Sequence, residues 1–127
     1  MKAALLLLLV GWTTWTCSPA TEPLPVETWT DACAELTPFQ GVYRLQLECC
    51  SYILLPSINV RNRSFSQAGT YYVFTGAGYA NSPVRVDGQL SANGATLTVS
   101  YLVNARSISR TLQAGTQHAA ACQCVCD

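Results

Sequence analysis

Residues 86–101 read Val86-Asp87-Gly88-Gln89-Leu90-Ser91-Ala92-Asn93-Gly94-Ala95-Thr96-Leu97-Thr98-Val99-Ser100-Tyr101, and this stretch decides the fold. On its first arm Val86 and Leu90 share one face, with Asp87 and Gln89 on the other. On its second arm Leu97, Val99 and Tyr101 alternate with Thr96, Thr98 and Ser100. Successive side chains of an extended chain point to opposite faces, so a period of two marks a strand with one dry side. Asn93-Gly94 between the arms supplies the residues that a tight hairpin turn demands.

The pattern spreads outward from this hairpin. Upstream, Val84 continues the first arm back to Pro83. Tyr43, Leu45, Leu47 and Cys49 alternate with Arg44, Gln46 and Glu48 from Gly41 onward. Residues 52–60 are apolar, but Pro56 bends the run or confines it to an edge. Ser66-Gln67-Ala68-Gly69 reads as a turn, and Thr70-Tyr71-Tyr72-Val73-Phe74-Thr75 as a β-prone strand. Residues 76–82 read as a glycine-rich loop centred on Tyr79. Downstream, Asn104-Ala105 turns into a last strand over residues 106–112, with Ile108 and Leu112 inward. Arg110 falls between them on the same face, so it pairs with Glu48 or Asp87, or the strand bulges.

Residues 27–36 predict a short helix: Trp29 and Cys33, like Asp31 and Glu35, stand four apart, and Pro38 stops it. Five or six evenly spaced strands imply an all-β domain. It is a small antiparallel meander closing into a barrel or a sandwich.

The N-terminus carries an address. Lys2, an apolar run from Ala3 to Val10 and the small polar residues before Cys17 make an export signal too short to span a bilayer. Prolines 19, 23 and 25 stiffen the following stretch into a tether. The division is then residues 1–17 signal, 18–27 tether and 28–127 a single β-domain with a cysteine-rich tail. The leader resembles that of bacterial envelope lipoproteins, which implies acylation of Cys17 and anchoring in the outer membrane. Cleavage after Ala20 is the alternative, giving a periplasmic or extracellular chain. Residues 86–101, with Phe39-Gln40-Gly41-Val42-Tyr43 as a weakened Gly-x-Trp opening, resemble the lipocalin-like (calycin-like) domains found on such lipoproteins. That resemblance implies a barrel.

Seven cysteines are present. Loss or acylation of Cys17 leaves Cys33, Cys49, Cys50, Cys122, Cys124 and Cys126, an even set that an oxidising compartment favours as disulfides. Cys49 and Cys50 are adjacent, too close at Cα for a relaxed bond with each other. The three tail cysteines alternate and share a side in extended chain. The simplest pairing joins each tail cysteine to one of the other three, which leaves about six of fifteen connectivities. Each bond closes a loop worth up to about 4 kcal/mol of chain entropy. Adjacent strand residues face opposite sides, so the strand ends or bulges at Cys49-Cys50, or the tail is irregular. A cluster of these thiols around a soft metal ion is the rival reading.

Composition excludes more than it assigns. Lys2 is the only lysine, and beyond it six arginines face seven acids, so no basic field exists for nucleic acid. Without that lysine there is no P-loop or Schiff-base lysine, and the single histidine, His118, cannot build a multi-histidine centre. A Glu48–Asp87 carboxylate pair has no support from spacing. The expectation is a protein without catalytic residues, metal site or cofactor, with the thiol cluster as the alternative. Tyrosines beside a glycine loop suit stacking on a sugar or a small apolar molecule, so Tyr72, Tyr79, Gly76 and Gly78 are the candidate ligand site. Their alternative role is wall packing. Arg61, Arg63, Arg85 and Arg106 read as solubilising residues of strand edges. The expectation is a non-catalytic binding module for an unknown small molecule, glycan or protein. A structural or assembly lipoprotein with a protein partner, a cysteine-based metal binder and a freely secreted disulfide-rich protein are the alternatives.

Overall fold

The computed structural model describes residues 20–48 and 50–116. Eight antiparallel strands run in chain order around a closed barrel. They are β1 (Trp29–Thr30), β2 (Glu35–Phe39), β3 (Val42–Gln46), β4 (Ser51–Leu55), β5 (Ser64–Phe74), β6 (Tyr79–Leu90), β7 (Thr96–Val103) and β8 (Arg106–Ala114). The ring closes where Trp29 pairs with Ala114 and Thr30 with Gln113. The all-β antiparallel meander is therefore a barrel rather than a sandwich, consistent with a lipocalin-like fold.

Alternation builds the interior as the sequence predicts. Leu45, Ile53, Leu55, Val86, Leu97, Val99 and Leu112 are inaccessible or nearly so. Full burial of such a side chain contributes about 1.5–3 kcal/mol. Three two-residue turns, Gln40-Gly41, Asn62-Arg63 and Asn104-Ala105, hold both residues at positive φ, the twist that matches paired strands.

Four expectations are corrected. Residues 27–36 form no helix: they carry β1, a reversal and the start of β2. The Asp31 carboxylate accepts the backbone N–H groups of Cys33 and Ala34 at 2.7 and 2.6 Å, and this local bonding turns the chain. The two strands that this reversal joins take the count from the upper expectation of six to eight. Phe39 to Tyr43 makes the β2–β3 turn rather than opening the barrel, which begins at Trp29. Residues 66–69 are no turn but the middle of β5. Gly69 is there because a Cβ would collide with the Leu54 carbonyl and the Leu55 side chain. Residues 79–82 belong to β6, and the loop before them shrinks to residues 75–78. At Cys50 the strand does end: β3 stops at Gln46, β4 starts at Ser51, and Cys50 sits at φ 64°.

The two ends of the barrel differ. At the base, Leu24, Ile58, Val60, Phe65 and Leu90 join Trp29 in one apolar cluster. The Trp29 indole N–H donates to the Val26 carbonyl at 2.9 Å. Glu22 and Val60 exchange backbone hydrogen bonds, so part of the stretch expected as tether lies against the base. The opposite end, where the β1–β2, β3–β4, β5–β6 and β7–β8 turns gather, is open.

Candidate functional site

The open end holds a cavity of about 310 Å³. Inward positions of β4, β5, β7 and β8 supply its walls: Val73, Val103 and Ile108 are apolar, and Tyr71 and Tyr101 add rings. Its polar groups are Ser51, Glu48 and Arg110.

Arg110 organises them. β8 pairs with β7 without interruption, Val99 opposite Arg110, so there is no bulge and the guanidinium points inward. Its Nη2 donates to Glu48 Oε1 at 2.7 Å and its Nε to the Tyr101 hydroxyl at 3.3 Å. Nη1 lies 3.6 Å from Asp31 Oδ2. Of the two carboxylates foreseen as partners, Glu48 is the one used; Asp87 faces out from β6, opposite Ser66 and Ser100. Burial opposes the charge on Arg110, but hydrogen bonds to Tyr101 and Glu48 outweigh it and raise its pKa. Burial likewise raises the Tyr101 phenol, against the pull of Arg110.

These contacts tie two rim loops to one strand. Asp31 lies in the β1–β2 loop and Glu48 in the β3–β4 loop, where the Ser51 hydroxyl donates to the Glu48 carbonyl at 3.0 Å. Each loop also carries a disulfide-bonded cysteine, Cys33 in the first and Cys50 in the second. Cys17, Cys49, Cys122, Cys124, Cys126 and His118 lie outside the described residues.

The tyrosines singled out from the sequence are brought together elsewhere. Tyr72 stacks on Tyr52 with ring centroids 4.8 Å apart and 14° between planes. Tyr79 meets Tyr52 edge-on and Phe74 at a tilt, both at 5.5 Å. These even positions of β4 and β5 face outward, so the cluster decorates the outer wall and Tyr79 is 49% exposed. Gly76 and Gly78, at φ 90° and 147°, form the turn at its end. Nearby, the Arg44 guanidinium lies 4.2 Å above the Phe39 ring. Burial first, then the neighbouring tyrosines, raise the Tyr52 pKa.

Sequence reasoning foresaw the anomaly of Arg110 but missed the cavity around it. Tyr101 read as an ordinary inward residue, Tyr71 as one ring of an aromatic strand, and Asp31 as part of a helix. The one available signal was the interruption of an apolar face by a cation. Comparison with protein-family models, curated proteins and solved structures finds no match for the chain.

Proposed function

We propose that this chain is an exported, lipid-anchored envelope protein that binds a small ligand, without catalysis, in the open end of its barrel. The observation that carries the reading is the cavity of about 310 Å³ with apolar walls and a few convergent polar groups. That size and lining suit a small organic molecule. The leader ending at Cys17 supports export and a lipid anchor, and the barrel supports the lipocalin-like reading. Paired cysteines at Cys33 and Cys50 fit an oxidising compartment, with the tail cysteines as proposed partners.

Octanol, neutral and apolar, is the probe. Calorimetric binding to the full chain supports the reading; Val103→Trp, which fills the cavity from its wall, is expected to abolish it with an unchanged circular dichroism spectrum. Equal octanol binding by that variant overturns the site. Acylation is tested by fatty-acid labelling, and a Cys17→Ala chain that stays membrane-bound removes the anchor.

A second reading rests on the outer aromatic cluster: Tyr52, Tyr72, Tyr79 and Phe74 form a surface for a protein partner or a glycan. Tyr79→Ala separates the two, since it leaves octanol binding intact.

A further inference from the structure

We infer that the barrel mouth selects small apolar molecules bearing a positively charged amine over those bearing a carboxylate. The inference rests on the mouth being the ligand site and names the ligand's chemistry. One guanidinium faces two carboxylates here, Glu48 at 2.7 Å and Asp31 at 3.6 Å, so the cluster carries a net negative charge.

Arg110 already faces resident partners on all three nitrogens. Nη2 serves Glu48, Nε serves Tyr101 and Nη1 faces Asp31. A ligand carboxylate approaching Arg110 would meet both Glu48 and Asp31 at close range, and their repulsion opposes its binding. An ammonium group has the easier entry. The Glu48 side chain is 49% exposed at the rim, and a carboxylate has about four acceptor positions, of which Oε1 uses one on Arg110. Tyr71 and Tyr101 line the same cavity, and aromatic rings attract a cation. The apolar remainder, on Val73, Val103 and Ile108, fits an alkyl chain beside that headgroup.

The test compares octylamine, octanol and octanoate on the full chain at neutral pH by calorimetry. Octylamine is expected to bind about tenfold more tightly than octanoate, the scale of a partly screened ion pair gained against one opposed. Octanol falls between. Raising the salt concentration should shrink the amine preference while leaving octanol unchanged. In Glu48→Gln, octylamine should weaken and octanoate strengthen, because Arg110 is released from one carboxylate. If octanol binds but octanoate matches octylamine in the native chain, the charge selection is wrong and the cavity reading stands. If the ratio survives both high salt and Glu48→Gln, the selection is likewise overturned. If octanol and octylamine both fail to bind, the cavity reading and the selection fall together.

Discussion

The base and the mouth of this barrel use the same strands to opposite ends. At the base the inward row closes on Trp29, Leu24, Ile58 and Leu90, and the indole N–H is satisfied by the Val26 carbonyl. At the mouth the inward row continues, but Arg110 interrupts it and draws in Asp31, Glu48 and Tyr101. Apolar packing contributes stability in proportion to area removed from water, whereas exposed charge pairs contribute little. The base therefore holds the fold, and the mouth is free to carry chemistry.

The sharpest way to break this comparison is a matched pair of variants. Trp29→Ala should cost about 3–5 kcal/mol, as deletion of a wholly buried aromatic does, measured by urea denaturation. Arg110→Met at the mouth should cost less, about 1–2 kcal/mol, since its ion pairs are only partly buried, Glu48 keeps access to water and the new side chain keeps the wall apolar. Equal losses would mean the mouth is as structural as the base.

Alkali sharpens the contrast at one group. The Tyr101 pKa is raised in the fold above its ordinary value of 10.0, so ionisation is easier in the unfolded chain. Its contribution is intact below about pH 10 and is lost as pH rises through the higher folded value. Stability should thus decline above pH 10, and Tyr101→Phe should flatten that decline in a melting-temperature series. The smallest effect lies at the rim turn, where Ala105 sits at φ 60°. Ala105→Gly should raise stability by about 0.5 kcal/mol, the strain removed outweighing the chain entropy lost. A drop on thermal unfolding would show that the turn is not strained.

The sequence is legible where alternation runs long enough to be counted. β6, β7 and β8 follow from residues 84–112 because each offers at least two inward apolar residues and a recognisable turn. β1 is invisible to periodicity: two residues have no period, and its strand character comes from pairing with Leu36 across an unforeseen reversal and with Ala114 far along the chain. Gly69 misled because a glycine needed for close backbone approach looks the same as one needed for a turn. Tyr79 stood out among glycines and small residues, and its exposure agrees with that, but pairing with Phe74 makes it a strand residue. For the mouth, Arg110 and Glu48 were readable as a misfit and a partner. Asp31 was not, since its approach depends on how a reversal of the chain is placed over the rim.

The ring of strands is fastened by only two residue pairs, Trp29 with Ala114 and Thr30 with Gln113, supplemented by the Thr30 hydroxyl on the Gly115 carbonyl at 2.7 Å. Elsewhere adjoining strands share at least twice as many, except at β1–β2. A zipper with two teeth parts before the cloth tears. Deuterium should reach the amides along this seam while those of β6 and β7 are still protected, so the cylinder breathes sideways, along its length, rather than through its lid.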